Sequence, residues 1–184
     1  MVGKRKALAY SKRKVTPYTR RSKKKSKNYI KTVPPQKIVK FFMGNIQKFE
    51  SGGFQYRLRI LAGRDILIRD LALEASRQLI HKELEKKLQS DYFLACKTYP
   101  HHILRNNKVF SGSSKGERVQ SGMKHSFGKS EGRAAQVKKG KEIFIMAFNN
   151  KENLNFIKDV IRKTLPKFPC KTKVVFEDTA LIKK

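Results

Sequence analysis

The sequence predicts an α+β fold: a mixed, mainly antiparallel sheet with two amphipathic helices on one face, preceded by a long basic N-terminal extension. Three observations predict it. Two segments show the apolar periodicity of helices, about five or six shorter ones have strand character, and short turns separate them. With 184 residues, 39% of them hydrophobic, the chain has apolar material for one main domain. If both helices cover one face of the sheet, the other face is free for a partner.

The N-terminal extension comprises residues 1–35, which include no acidic residue; the first in the chain is Glu50. Its basic clusters lack a sustained apolar periodicity, so we expect an extended chain that becomes ordered only on a polyanion. Pro34 and Pro35 disfavour a helix and mark the entry to the folded domain, residues 36–184.

Two strands are predicted at the start of the domain, at residues 37–44 and 54–62, because both are rich in β-branched and aromatic residues. Residues 50–53 have the composition of a turn, which makes the two strands candidates for a hairpin. Alternation along the second strand places on one face Phe54, Tyr56, Leu58 and Ile60, and on the other Arg57 and Arg59.

The two helices are predicted from apolar residues that recur with a helical period. The first spans residues 68–88, with Asp70 near its start and Lys86 and Lys87 near its end, as the helix dipole favours. Its apolar stripe consists of Ala72, Ala75, Leu79, Ile80, Leu84 and Leu88. The second follows Asn149, which with Glu152 resembles a capping arrangement, and Pro166 stops it. Its inward residues are Leu154, Ile157, Val160, Ile161 and Leu165.

Further strands are predicted at residues 91–100, 101–110, 142–148 and 173–177. His101 and His102 are adjacent, so in a strand they point to opposite faces, one towards the core and the other towards RNA. We expect neither to act as an acid or a base.

Residues 109–139 combine a glycine every few residues with interleaved cations. Glycine lets backbone N–H groups approach a phosphate closely, and the lysines and arginines supply the charge. Only Glu117 and Glu131 are acidic in this segment. We therefore expect the segment to lie against phosphate and not to pack into a core.

The overall charge points to a nucleic-acid partner. Lys and Arg number 44 and Asp and Glu 14, which gives a net charge of +30. Small soluble domains carry a net charge of about 2 to 8 in magnitude, so solubility alone does not account for this value. A membrane surface is disfavoured because the basic runs lack an apolar face. Binding to a polyanion through Lys and Arg is strong and steeply salt-dependent.

Catalysis, metals and cofactors find no support in the sequence. None of the four histidines lies in a zinc-ligand pattern, and FGKSEG (127–132) lacks the phosphate-loop fingerprint. Asp65, Asp70 and Glu74 are interpreted as balancing local cations. Cys96 and Cys170 are expected to be buried or half-buried free thiols in a reducing compartment. No apolar run spans a membrane, and the first residues lack the apolar stretch of a secretory signal.

Five ordered motifs resemble the universal large-subunit ribosomal protein family number sixteen, in its archaeal and eukaryotic branch. They are PYTR (17–20), KIVKFFMGN (37–45), LALEASR (71–77), YPHHILRNNK (99–108) and ERVQSGMKHSFGKSEGRAAQVKKGKEIF (117–144). The resemblance runs from about Pro17 to Pro169. It implies an α+β fold, with two helices on a sheet, that binds large-subunit rRNA near the aminoacyl-tRNA side of the catalytic centre.

The same resemblance implies that the protein joins the subunit late, contacts neighbouring ribosomal proteins, and helps to position tRNA in cytosolic ribosomes without catalysing a reaction. Residues matching the family motifs are Pro17, Tyr18, Thr19, Arg20, Tyr99, His101, His102, Arg105, Arg118, Gly122, Met123, Phe127, Gly128, Lys129 and Gly132. The loop expected to project towards tRNA, residues 108–117, offers Lys108, Ser111, Gly112, Ser113, Ser114, Lys115 and Gly116.

Composition and resemblance together nominate a set of rRNA-binding residues. They are Lys4, Arg5, Lys6, Lys12, Arg13, Lys14, Tyr18, Arg20, Arg21, Lys23, Lys24, Lys25, Arg57, Arg59, His101, His102, Arg105, Arg118, Lys124, Lys129, Arg133, Lys138 and Lys139. The chain departs from the family where Phe42 replaces the usual aspartate and Ser130 the usual proline, and in the lysine and serines of its loop. A free-standing RNA- or DNA-binding chaperone or chromatin protein is the alternative function; it explains the charge but not the ordered motifs.

Overall fold

The computed structural model describes residues 32–106 and 129–179 and confirms an α+β fold in this part of the chain. Its strands are β1 Phe42–Gly44, β2 Tyr56–Ala62, β3 Ile66–Arg69, β4 Tyr92–Cys96, β5 His102–Asn106, β6 Lys129–Val137, β7 Glu142–Phe148 and β8 Thr172–Asp178. Its helices are α1 Ile46–Glu50, α2 Asp70–Leu88 and α3 Asn153–Thr164, followed by a 3-10 turn at Leu165–Lys167.

The strands of the described region form two sheets where the sequence predicted one. A five-stranded sheet has the order β1-β4-β7-β2-β8, and a three-stranded sheet has the order β3-β6-β5. All the strand pairings are antiparallel. Three short connections, β2 to β3, β4 to β5 and β6 to β7, carry the chain from one sheet to the other, so the two sheets meet at one end of the larger sheet. The fourth crossing, from β3 to β4, runs through α2.

The predicted hairpin of residues 37–44 and 54–62 is wrong. β1 pairs with β4, β2 pairs with β7 and β8, and α1 lies between β1 and β2. Gly44 turns the chain out of β1 with a φ of +80°, and the Asn45 side chain accepts a 2.9 Å hydrogen bond from the backbone N–H of Lys48. These two residues begin a helix between the two predicted strands, where the sequence predicted only a turn at residues 50–53.

The predicted strand at 37–44 is also shorter, because residues 37–39 dock on a helix. The backbone N–H of Lys37 donates to Asp70 Oδ2 at 3.2 Å, and that of Val39 donates to Glu74 Oε2 at 3.4 Å. Carboxylates of α2 thus accept the backbone hydrogen bonds that the carbonyl oxygens of a neighbouring strand would otherwise accept. These contacts fix the path by which the chain enters the domain.

Helix α2 begins two residues later than predicted, because Ile68 and Arg69 belong to β3 and pair with β6. Ile80 and Leu84 are buried as expected. The N-terminal half instead buries Leu73 and Ser76, and Ala72 is only half-buried. The buried stripe is therefore rotated from the predicted one.

Helix α3 begins at Asn153, so Asn149 is not its cap. The Asn149 side chain instead accepts a 3.2 Å hydrogen bond from Gln55 N. The predicted inward residues Ile157, Val160 and Ile161 are buried, but Leu165 is exposed in the 3-10 turn that contains Pro166.

The core lies between the five-stranded sheet and helices α2 and α3, which pack side by side on one face as predicted. Its fully buried residues include Leu58, Ile60, Leu73, Ile80, Leu94, Phe144 and Met146. The opposite face is not wholly free, which corrects the sequence-based expectation. Phe49 of α1 stacks on Phe93 of β4 with ring centroids 3.9 Å apart, over a small cluster with Phe54, Ala95 and Ala147.

Candidate nucleic-acid interface

Many of the predicted RNA-binding residues lie outside the described part of the chain. They are the nominated residues of the extension from Lys4 to Lys25, the loop residues 108–117, and Arg118 and Lys124. Of Arg105 and Lys129 the structure gives the backbone register: Arg105 lies opposite Ser130, and Lys129 opposite Asn106. The residues on either side of segment 107–128 therefore belong to two paired strands, β5 and β6.

The structure corrects the expectation that all of residues 109–139 avoid a core. Residues 129–137 form β6, the central strand of the three-stranded sheet. Ala134, Ala135 and Val137 are buried there. Ala135 and Val137 belong to the main core, and Ala134 packs with Leu67 and Leu104 of the neighbouring strands. Composition did not separate this role from close approach to phosphate.

Strand β6 also holds the last residues of the basic extension. Ser130 Oγ donates a 2.9 Å hydrogen bond to the carbonyl oxygen of Thr32, and Arg133 Nε donates a 2.6 Å bond to that of Pro34. Position 130 is next to Lys129, which pairs with Asn106 across the ends of segment 107–128. The residues that adjoin the extension and this segment therefore lie together.

A half-exposed tyrosine extends this surface. The Tyr99 ring is 50% exposed and stacks on Phe41 with centroids 5.6 Å apart. Arg133 Nη1 lies 3.5 Å from its hydroxyl oxygen. His101 is exposed, and its Nδ1 donates to the Tyr99 carbonyl at 3.1 Å, whereas His102 is 3% exposed. The predicted opposite orientation of the two histidines is confirmed.

Arg57 and Arg59 lie together on the sheet face opposite the two long helices, in a balanced cluster of charges. Arg59 Nη1 is 2.7 Å from Glu142 Oε1, and its Nη2 contacts Glu177. The Arg57 guanidinium lies over the Phe49 ring, 5.1 Å from the centroid. Both carboxylates belong to strands that flank β2. A phosphate at Arg59 would compete with them, so this arginine is a weaker candidate than its sequence pattern indicates.

The predicted residues Lys138 and Lys139 lie at the opposite end of β6 from the loop, in the turn before β7. The sequence predicted that all of residues 109–139 lie against phosphate. The structure places Lys138 and Lys139 beyond the far end of β6 from Lys129. Three exposed cations that the sequence did not nominate, Arg64, Lys141 and Lys171, lie in the same turn region.

The remaining ionisable candidates have structural environments. Glu74 accepts two hydrogen bonds from the Arg77 guanidinium, at 2.6 and 2.8 Å, and these hold the pKa of the carboxyl below its ordinary value. Burial raises the pKa of Asp70, whose oxygens accept from two backbone N–H groups. For Glu74 this confirms the interpretation of a carboxylate that balances a local cation.

His81 and Tyr92 form a hydrogen bond in an open cleft of about 500 Å³ beside α1, also lined by Asn45, Glu85 and Gln89. Tyr92 Oη and His81 Nδ1 are 2.7 Å apart. Burial, with a smaller contribution from the charge of Glu85, raises the pKa of Tyr92 to about 12. The phenol is therefore protonated at neutral pH, and its hydrogen bond with the His81 ring joins α2 to β4.

Both cysteines are free thiols, Cys96 buried and Cys170 half-buried, as expected. Burial raises the pKa of each. Within residues 32–106 and 129–179, no cluster of His, Cys, Asp and Glu could hold a metal ion. No helix in these ranges is long and apolar enough to cross a membrane.

Comparison with known proteins agrees with this geometry. Residues 13–175 match the family described as ribosomal protein L16p/L10e. The large ribosomal subunit protein uL16 of Staphylothermus marinus is 38% identical over 164 residues, covering 88% of this chain and 86% of that protein. The uL16 proteins of Sulfolobus acidocaldarius and Hyperthermus butylicus are 38% and 37% identical, over 85% and 93% of this chain and 84% and 87% of their own lengths.

The family match covers most of the chain, and it includes residues 13–35 of the extension, strands β5 and β6, and both long helices. The motifs that suggested the resemblance fall within it. The chain therefore belongs to the ribosomal protein L16p/L10e family.

Proposed function

We propose that this ribosomal protein is a structural constituent of the large subunit of cytoplasmic ribosomes, where it binds large-subunit rRNA near the aminoacyl-tRNA site. In this proposal it supports the placement of tRNA and joins the subunit late in assembly. Its relatives in three organisms carry the name large ribosomal subunit protein. Membership of a ribosomal protein family identifies a structural role and not a catalytic one.

One observation carries the proposal: the residues next to the extension and next to segment 107–128, which contains the loop, lie side by side. Arg133 and Ser130 hold the backbone of residues 32–34 against β6, and the loop begins at the paired residues Asn106 and Lys129. Residues 1–31 and residues 107–128 both contain more lysine and arginine than acidic residues. Two basic segments on one support can enclose a folded RNA from two sides.

The recognition chemistry follows from the residue types. RNA helices are read largely by shape, through phosphates and 2′-hydroxyls, and lysine and arginine on extended segments suit this mode. Tyr18 in the extension is a candidate for stacking on an unpaired base, which contributes about 1 to 3 kcal/mol where it occurs. The packed sheets and helices then act as a rigid body that fixes where these segments leave.

The residues proposed to contact RNA are those nominated from the sequence except His102, which is buried. Arg59 ranks lowest among them because two carboxylates already bind it. Residues 1–35 are proposed as the RNA-binding extension and residues 36–184 as the single domain. Residues 108–117 form the segment directed towards tRNA. Neighbouring ribosomal proteins are further partners.

A photo-cross-linking experiment tests the tRNA part of the proposal. A photoreactive group is placed at Lys115 in the loop, or at Lys158 on α3 as the control, in ribosomes that carry aminoacyl-tRNA. Lys158 is exposed and lies on the helical side of the domain. We expect cross-links to tRNA from position 115 and none from position 158. Equal yields from both positions, or no tRNA product from position 115, would contradict the proposal.

A further inference from the structure

Three turns meet where the two sheets join, at the end of β6 remote from the loop. The backbone N–H of Gly140 donates to the carbonyl oxygen of Ala62 at 2.8 Å, and Ala62 N donates to Lys141 O at 3.0 Å. Gly63 N donates to Lys171 O, also at 3.0 Å. The β2–β3 turn is thus bonded to the β6–β7 turn on one side and to the residues before β8 on the other.

Side-chain and steric contacts make this junction tight. Asp65 Oδ1 accepts a 2.7 Å hydrogen bond from Lys139 N. A Cβ atom at Gly63 would come within 2.5 Å of Lys171 O, so only glycine allows this approach of the two segments. The turns therefore form a fixed support for the side chains that leave them.

Those side chains carry mainly positive charge. The exposed cations of the junction are Arg64, Lys138, Lys139, Lys141 and Lys171, and we call these five residues the basic tip. The two nearby carboxylates already have partners. Asp65 accepts a hydrogen bond from the backbone N–H of Lys139, and Glu142 forms an ion pair with Arg59. By contrast, exposed lysines of α2 and α3 alternate with acids such as Glu85 and Asp159.

The basic tip lies far from Lys129, the first described residue after segment 107–128. Strand β6 runs from Lys129 to Val137, just before the tip. At roughly 3.3 Å per residue this separation is about 26 Å, more than two Debye lengths at physiological salt. A phosphate bound at the tip is therefore not one bound at Lys129.

We propose that the basic tip binds the sugar-phosphate backbone of a second RNA segment, distinct from the segment held by the extension and loop. This inference rests on the proposed function and adds to it a second contact. The tip residues are lysines and an arginine with no aromatic ring among them, which suits phosphates and not unstacked bases. The domain then links two RNA segments at a distance set by β6.

Two charge-matched variants of the full-length chain test this inference. The tip variant combines Arg64→Gln, Lys138→Gln, Lys139→Gln, Lys141→Gln and Lys171→Gln. The control variant combines Lys82→Gln, Lys86→Gln, Lys151→Gln, Lys158→Gln and Lys163→Gln, all of which are exposed on or beside the helices. Binding to purified archaeal large-subunit rRNA is measured against salt concentration, and hydroxyl-radical footprints are recorded.

Each phosphate contact contributes about 0.7 to 0.9 to the slope of log K against log salt. The tip variant should lose five phosphate contacts, so its slope should fall by about 3.5 to 4.5. The control variant should lose none, so its slope should change by less than about 1. The wild-type chain should protect two separate RNA segments, and the tip variant only one. The double variant Lys139→Gln, Lys141→Gln removes two exposed side chains that form no hydrogen bond or ion pair within the described residues. It should lose about 1.5 of the slope and weaken the same footprint.

Equal slope losses in the tip and control variants, or a footprint unchanged by either tip variant, would overturn the inference while leaving the proposed function intact. If the wild-type chain protects no large-subunit rRNA at all, the proposed function itself fails, and the inference with it. Circular dichroism melting of every variant checks that the fold is kept.

Discussion

Arg133 Nε donates a 2.6 Å hydrogen bond to the carbonyl oxygen of Pro34, which ties the central strand of the smaller sheet to the end of the basic extension. Arg133 is half-buried, so this charge-assisted bond is partly protected from water. Proline lacks a backbone N–H and cannot join a strand as a donor, but its carbonyl oxygen is available. The side chain of one strand thus holds in place the residue at which the basic extension joins the domain.

Replacing Arg133 with alanine should loosen this attachment without unfolding the domain. We expect trypsin to cleave at Lys37 or Lys40 several-fold faster, because residues 32–34 lose a main anchor while the core is unchanged. The matched control is Gln136→Ala on the same strand, which should cleave at the wild-type rate. Identical digestion of both variants would show that the Arg133 bond does not hold the extension.

Neutralising the extension should weaken RNA binding mainly at low salt. Alanine at Arg20, Arg21, Lys23, Lys24 and Lys25 removes up to five phosphate contacts, so the slope of log K against log salt should fall by about 3.5 to 4.5. Filter binding with purified large-subunit rRNA over a range of salt concentrations measures it. A slope equal to that of the wild-type chain would remove this part of the extension from the RNA interface.

Shortening the loop by deleting residues 111–116 should leave the fold intact but impair translation. Its flanking strands β5 and β6 are paired by their own hydrogen bonds, so the sheet does not depend on the loop. Thermal melting and translation by reconstituted ribosomes are the two measurements. Normal translation with the shortened loop would refute its role near tRNA.

Replacing Glu74 with glutamine should destabilise the domain by about 3 kcal/mol, because Arg77 would remain buried without its counter-charge. Only 8% of either residue is exposed. The double variant Glu74→Gln, Arg77→Met should recover part of the loss, since it removes both charges. Urea denaturation at pH 7 measures both effects.

The ion pair of Glu74 and Arg77 predicts that the free energy of unfolding depends on pH. The pKa of Glu74 is lowered by Arg77 from its ordinary 4.5, so its contribution is present above pH 4.5 and is lost as the pH falls through the folded value. The pKa of Asp70 is raised by burial, so its ionisation opposes folding as the pH rises above 3.8. The stability difference between wild type and Glu74→Gln should therefore shrink in acid. A difference that stays constant down to about pH 3 would mean that the Glu74 carboxylate does not stabilise the fold.

Gly44 and Gly140 have almost the same backbone angle but different surroundings. Comparing them distinguishes the cost of a left-handed backbone from the cost of a steric clash. Gly44 and Gly140 have φ values of +80° and +79°. A Cβ atom at Gly44 would lie 2.2 Å from the carbonyl oxygen of Tyr92, whereas one at Gly140 meets nothing within 4 Å. Alanine at Gly140 should cost about 1 to 2 kcal/mol, the usual penalty of a left-handed residue. Alanine at Gly44 should cost at least about 2 kcal/mol more, because β1 must move away from β4. Equal losses would mean that β1 moves freely.

The sequence was most informative where local pattern decides the structure. Residues 142–148 form a strand with the predicted bounds, and α3 buries Ile157, Val160 and Ile161 as its periodicity indicates. The pairing of β1 with β4 and the division into two sheets depend on contacts between distant segments, which periodicity does not contain. The turn at residues 50–53 was present, but it closes α1 and does not join two strands.

The site was predictable in composition but not in arrangement. The residue types of the extension and the loop indicated a polyanion before any fold was known. The balanced cluster at Arg59 was not predictable, because Glu142 and Glu177 reach it from two other strands. The basic tip was not predictable either. Its residues Arg64, Lys141 and Lys171 come from three segments that only the sheet junction brings together.

The most direct test of the central claim is sedimentation of the chain, expressed from its own locus with a small tag, on a sucrose gradient after a high-salt wash. We predict that the tagged chain remains in the large-subunit and whole-ribosome fractions, because many phosphate contacts inside folded rRNA are lost together or not at all. Recovery of the chain at the top of the gradient, or with DNA or RNA outside ribosomes, would contradict the account.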